Sequence, residues 1–179
     1  EKFLSKLGLA VSDVPEQLES DTQLLNNLLE IMAAEQVDFT VFWRRLSVAV
    51  VESSTEASAW RQVADLFLDQ AAWQAWQTRY LDRLNQLDVN QCQERMYKVN
   101  PKYVLRNHLA ESAIQKSKMG DHSEVETLFK LLQSPFDDQA PFDHYANLPP
   151  AWASSIEISC SSSIHTRNIC NIAWIHPTL

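Results

Sequence analysis

Cys160 is the side chain in this sequence whose surroundings best suit reactive chemistry. It stands in Ser159-Cys160-Ser161-Ser162, a run of small polar residues. A thiol there has the access that thiol–disulfide exchange requires, because the attacking species is an exposed thiolate. The same thiol also fits a plainer role, since free cysteine commonly behaves as a small buried hydrophobe. Most other groups point away from catalysis. Two glycines, Gly8 and Gly120, are all that 179 residues contain, whereas phosphate-cradling loops need several so that successive N–H groups converge on the ligand. The same count excludes a G-x-S-x-G nucleophile turn, and Asp38-Phe39-Thr40 lacks the glycine of a kinase metal-binding motif. Asp38 is read instead as a helix cap. His108, His122, His144, His165 and His176 lack the close spacing with acids or thiols of recognised metal sites. No catalytic, cofactor-binding or metal-binding residue is therefore assigned, and Cys160 stands as the redox candidate.

Composition narrows the class. A hydrophobic fraction of 45% over 179 residues is enough for one sizeable core and is that of a globular chain. The net charge of -8 and pI near 5.0 argue against nucleic acid as a partner, because such binding draws on clustered Lys and Arg. No apolar run approaches the roughly 20 residues of a membrane span, and no basic segment leads an apolar signal core. No membrane association is expected. Cys92, Cys160 and Cys170 are too few and too scattered for a disulfide scaffold. A reducing, cytoplasmic compartment of the bacterial type fits them best. Cys92, among Gln and Glu on a helix, is read as structural or incidental. The chain opens at Glu1 in what reads as the end of a helix, so a fragment is expected.

The elements that must position these groups are nearly all helical. Leu4 and Leu7 precede Gly8, which is placed in the left-handed position that ends helices. Asp21 is expected to cap a helix with Leu24, Leu25, Leu28, Leu29 and Met32 on one stripe. Asp38 opens a second, with Phe39, Phe42, Trp43 and Leu46 inward and Arg44 and Arg45 at its margin. A polar linker over residues 51–58 leads to a helix over 60–68, with Trp60, Val63, Ala64, Phe67 and Leu68 inward. Asp69 caps the next, bearing Trp73, Trp76, Tyr80, Leu81 and Leu84, and a short helix over 91–99 follows. The aromatics at helical spacing are read as core rather than as a ligand cage.

Asn100 and Pro101 read as a helix start, because Asn accepts from first-turn N–H groups and Pro at the first position loses no hydrogen bond. Tyr103, Val104, Leu105, Leu109, Ala113 and Ile114 would form its apolar face until Gly120. Ser123 and Glu126 then suggest a capping box, with Val125, Leu128, Phe129 and Leu132 inward until Ser134-Pro135. Beyond, Pro141, Pro149 and Pro150 break the chain into turns while Phe136, Phe142, Tyr145, Leu148 and Trp152 offer anchors. The expected architecture is all-α: a compact multi-helix bundle over residues 1–135, an irregular strap over 136–162 ending at Cys160, and an atypical tail over 163–179.

Three blocks carry a resemblance. Val99-Asn100-Pro101-Lys102-Tyr103-Val104-Leu105-Arg106-Asn107-His108-Leu109, the stretch over residues 120–135, and Tyr145-Ala146-Asn147-Leu148-Pro149-Pro150-Ala151-Trp152 through Ser159-Cys160-Ser161-Ser162 together resemble the C-terminal region of the selenoprotein O (SelO/YdiU) family. The resemblance spans about residues 1–162. It implies that the chain is the C-terminal part of a kinase-like (pseudokinase) fold that transfers AMP from ATP, with Mg2+, to Ser, Thr or Tyr hydroxyls of protein substrates. It also implies that the nucleotide- and metal-binding motifs lie upstream, so this region alone is inactive and needs no cofactor. Its partner would be the upstream kinase-like domain of the same protein. A near-terminal Cys before two serines, here Cys160, is the family feature tied to redox control, and its partner cysteine would lie in that upstream part.

Residues 163–179 depart from the family, which ends near the cysteine. They hold no Asp, Glu or Lys, and Ile164, Ile169, Ile172, Trp174 and Ile175 make them apolar, so a non-native tail or an extension packed on the bundle is expected. The reading is thus a supporting, redox-responsive lobe of a protein adenylyltransferase. The alternative is a free-standing helical protein-interaction module. A lobe should show an apolar patch where its missing domain docks, with Phe3, Leu4 and Leu7 expected at that surface, whereas a module should bury its aromatics.

Overall fold

The computed structural model describes residues 2–52 and 57–155. Among them every regular element is helical: α1 (Lys2–Lys6), α2 (Pro15–Ala34), α3 (Phe39–Glu52), α4 (Ala57–Ala64), α5 (Gln70–Leu84), α6 (Val89–Val99), α7 (Asn107–Lys118) and α8 (Ser123–Leu131). Two 3-10 segments, Ala140–Ala146 and Ala151–Ser155, follow. The all-α expectation holds for these residues.

The first six helices share one core. Asp38 and Asp69 cap as their positions predict: Asp38 Oδ1 accepts the Val41 N–H at 2.9 Å, and Asp69 Oδ1 accepts those of Ala71 and Ala72 at 3.0 Å. Asp21 does not. Helix α2 starts earlier, at Pro15, whose ring suits the first turn. Asp21 instead lies mid-helix and 1% exposed, because it accepts from Arg83 Nε at 2.8 Å, Arg83 Nη2 at 3.2 Å and Gln17 Nε2 at 2.8 Å. A carboxylate buried this way is tolerated because its lone pairs are taken by a paired guanidinium.

Aromatics fill the centre. Phe67, Trp73, Trp76 and Tyr80 stack in sequence with ring centroids 4.6, 5.3 and 4.8 Å apart. Two of the three polar ends are placed, Trp76 Nε1 donating to Leu24 O at 2.9 Å and Tyr80 Oη to Leu7 O at 2.8 Å, while Trp73 Nε1 is buried with no hydrogen-bond partner among the described residues. Leu4 and Leu7, expected at an exposed docking surface, are buried in this core. They reach it because Gly8, at φ +75°, turns the chain back after α1, as expected. A Cβ on Gly8 would come within 2.9 Å of Cys92 Cβ, so the close crossing of α1 over α6 needs both the glycine and a small side chain at 92. Leu68 was expected inward, yet α4 stops at Ala64 and Leu68 projects into solvent at 90% exposure.

A second, smaller core holds Tyr103, Ala113, Leu128, Leu131 and Tyr145. The helix expected from Asn100 begins only at Asn107. Asn100 ends α6 instead, since its amide is committed to distant partners and cannot cap. Residues 101–106 run irregularly, with the Lys102 and Tyr103 N–H groups both donating to Pro135 O at 2.8 and 3.0 Å. Gly120, at φ +86°, follows α7 as expected. The expected capping box is absent: Asp121 Oδ1, rather than Ser123, accepts a first-turn N–H, that of Ser123, at 3.0 Å. In α8 Leu128 and Leu131 are the buried pair, while Val125 and Phe129 face solvent, contrary to the expected inward stripe. Leu105 and Ile114 are likewise exposed.

Candidate functional site

The polar groups gather where the two cores meet, at the end of α6 and the start of α3. Asn100 is fully buried. Its Nδ2 donates to Lys6 O at 3.0 Å and Ser47 Oγ at 2.9 Å, and its Oδ1 accepts from Lys6 Nζ at 3.2 Å. Lys6 Nζ also donates to Val99 O at 3.1 Å and lies 5.8 and 5.6 Å from the ring centroids of Phe39 and Trp43. One amide thus ties α1, α3 and α6 together. Burial lowers the Lys6 pKa to about 8, since burial disfavours the ammonium form.

Beside this knot, Arg106 grips Asp38 through two bonds of 2.8 and 2.9 Å. Asp38 therefore does double duty: it caps α3 and anchors the residue before α7. This fork-to-fork geometry is the strong form of a charge-assisted pair. Arg44 lies with its guanidinium carbon 4.4 Å from the Tyr97 ring centroid and donates to Asp138 Oδ1 at 3.0 Å and Phe136 O at 3.4 Å. Lys102 donates to the same Asp138 oxygen at 2.8 Å and to Asp143 Oδ1 at 2.7 Å. Burial pulls the Lys102 pKa down, but its bonds to Asp138 and Asp143 outweigh that and raise it. Bonding to Lys102 holds the Asp138 carboxyl below the usual range, against some burial. Tyr103 Oη donates to Gln139 O at 3.1 Å and accepts the Gln139 N–H at 3.2 Å.

A cleft of about 250 Å³ opens between these parts, lined in part by Arg44, Arg45, Lys102, Asp143 and Asn147. Arg44, Lys102 and Asp143 already have partners in one another and in Asp138, and Arg45 donates to Gln62 O at 2.8 Å. Groups satisfied this way fix geometry. The arrangement is that of a joint, holding residues 101–146 against the bundle. Among the described residues no group of three or more His, Cys, Asp or Glu could hold a metal ion. None of the described helices is long and apolar enough to cross a membrane.

Of the block over residues 99–109 that carries the resemblance, Tyr103 and Arg106 enter this joint, whereas Asn107 is exposed at the start of α7. Cys160 lies outside the described residues, as does the tail. Cys92 is buried in the bundle, and burial raises its thiol pKa, which agrees with a structural role. The joint's ion pairs were not found from sequence. Asp38 and Arg106 are 68 positions apart, and Arg44 and Asp138 94 apart, so no local pattern announces them.

Residues 1–133 match the family described as Protein adenylyltransferase SelO. The chain belongs to the SelO family. Among its relatives, this SelO-family chain is 51% identical over 161 residues to the protein nucleotidyltransferase YdiU of Albidiferax ferrireducens, covering 89% of the chain and 31% of that protein. It is 47% identical over 161 residues to the YdiU of Variovorax paradoxus, with 90% and 31% covered, and 45% identical over 163 residues to that of Cupriavidus metallidurans, with 89% and 28% covered. The chain thus spans about a third of the length of these relatives. Asp38, Arg44, Lys102, Tyr103 and Arg106 of the joint fall inside the matched residues, whereas Asp138 and Asp143 lie beyond them.

Proposed function

We propose that this SelO-family chain is the C-terminal helical region of a protein adenylyltransferase, an enzyme that transfers AMP from ATP, with Mg2+, to hydroxyl side chains of other proteins. The observation that carries this reading is the family match over residues 1–133 in a chain that spans only about a third of its nucleotidyltransferase relatives. The region acts as a supporting lobe. Nucleotide and metal are held by the kinase-like part upstream, and the described residues offer a satisfied joint rather than a reacting centre. Cys160 serves as a redox-responsive thiol whose partner cysteine lies in that upstream part. The protein works in the reducing cytoplasm, where such a thiol responds to a change of redox state.

The alternative, a free-standing interaction module, has less to stand on. The buried Trp43, Trp73 and Trp76, with Leu4 and Leu7, are what such a module would show, but the family match over residues 1–133, in a chain about a third of its relatives' length, favours the region of a longer protein. The deciding experiment measures transfer of labelled AMP to a test protein, comparing this chain with the same chain joined to the upstream two thirds of a relative. Transfer by the joined protein alone is expected, with Cys160→Ser removing its response to oxidant. Absence of transfer from both proteins would overturn the reading.

A further inference from the structure

Helix α8 is apolar over a wider arc than its own unit covers. Leu128 and Leu131 turn into the small core with Ala113 of α7, Tyr103 and Tyr145. The adjoining face carries Val125 and Phe129, spaced as i and i+4, so the two lie in one row. Val125 is 46% and Phe129 67% exposed, whereas Leu132, the residue after α8, packs half-buried against the small core. A phenylalanine exposed on a short helix, beside a core of only five buried residues, leaves apolar area that a self-sufficient unit would cover. The bundle does not cover it. Its side-chain ties to this unit, Asp38 with Arg106 and Arg44 with Asp138 and Phe136 O, involve no residue of α8.

We propose that the Val125–Phe129 face of α8 docks against the upstream two thirds of the full-length polypeptide. This rests on the reading of the chain as one region of a longer SelO-family protein, and deepens it by naming the surface. Three observations favour that occupant. The relatives carry more than twice this chain's aligned length in addition to it, so a large body of protein is available in the same polypeptide. The face lies inside the residues matched to the family, 1–133, rather than in the divergent tail. A second copy of the chain is disfavoured, because two bodies of net charge -8 repel as they approach.

The test compares amide hydrogen exchange in α8 between this chain alone and the chain joined to the upstream two thirds of the Albidiferax ferrireducens relative. The expected result is exchange in α8 at least about tenfold slower in the joined protein, because docking adds to the free energy of local opening. Phe129→Asp should return that rate to the value in the chain alone, while leaving the helical content of the isolated chain unchanged. If the joined protein folds poorly, the same measurement on the chain mixed with the separately produced upstream part reads the same protection. Equal exchange in the joined and isolated forms would overturn the proposal. So would slow exchange in the isolated chain that depends on its concentration, since the occupant would then be a second copy. AMP transfer is not the readout. A protected α8 in a protein without transfer would leave the docking face standing and remove the adenylyltransferase reading, and the reverse result would do the opposite.

Discussion

The bundle of α1–α6 and the unit built on α7 and α8 hold their shapes by different means. The bundle packs Phe42, Trp43, Trp73, Trp76 and Tyr80 among aliphatic side chains in one continuous core. The smaller unit buries five residues and depends on long-range charged pairs for its place, Arg106 with Asp38 and Arg44 with Asp138, while Lys102 with Asp138 and Asp143 braces the unit itself. Apolar burial scales with area and is insensitive to exact placement, whereas bidentate pairs fix orientation but yield little net energy once desolvation is counted. The bundle is therefore the stable body, and the pairs set where the second unit sits on it.

The sharpest way to break that comparison is to cut into the aromatic column. Trp73 is fully buried and stacked on both Phe67 and Trp76. Trp73→Ala should lower stability by about 3–5 kcal/mol, measured by denaturant unfolding followed at the remaining tryptophans. A loss below about 1 kcal/mol would mean that the bundle is not the body on which the rest depends, since a truncated core aromatic in a close-packed site always leaves a cavity.

Much of the bundle could be read locally because its signals are local. Asp38 and Asp69 precede apolar periodic runs and do cap them, and the spacing of Leu24, Leu25, Leu28 and Met32 gives the buried stripe of α2. The misreadings have a common cause. Asp21 and Asn100 look like caps, yet each is claimed by a partner far along the chain, Arg83 in one case and Lys6 and Ser47 in the other. At both positions the side-chain oxygens serve the distant partner and not a helix start, whereas Asp38 Oδ1 accepts from the Val41 N–H and from Arg106 together. The inward stripe expected in α8 failed for another reason: periodicity marks apolar residues, but it does not say how much of an apolar arc the rest of the fold will cover. The joint, the main candidate site, was legible only in that Tyr103 and Arg106 fall in the block over residues 99–109 that carries the resemblance. Its acidic half, Asp38, Asp138 and Asp143, lies elsewhere in sequence.

A cut at the joint tests the other side of the comparison. Arg106→Ala removes both bonds to Asp38 while leaving Asp38 Oδ1 able to cap α3. The expected loss is about 1–3 kcal/mol, the usual cost of leaving a partly buried charged group without its partner. It should appear as faster hydrogen exchange at the start of α7 with little change in α5. Equal loosening of both helices would show that the two cores unfold as one cooperative body rather than as a stable bundle carrying a more weakly held unit.

The smallest effect expected is with pH, and its sign follows from the carboxylates of the second unit. Bonding to Lys102 lowers the Asp138 pKa from 3.8, and bonding to Lys116, with help from Tyr145, lowers that of Glu124 from 4.5, each against some burial. A carboxylate whose folded pKa is depressed contributes stability that is full above its unfolded value and is lost as pH falls through its folded value. The second unit should therefore loosen as pH drops below about 4.5 and then 3.8. Both pairs are partly exposed, so the loss is modest. The Gln139 amide, held by the Tyr103 hydroxyl, should exchange faster in that range, while amides of α5 keep their protection. Asp138→Asn should remove the later part of that response. Were the α5 amides to lose protection at the same pH as Gln139, the charged joint would be holding the bundle as well, and the two regions would no longer differ in kind.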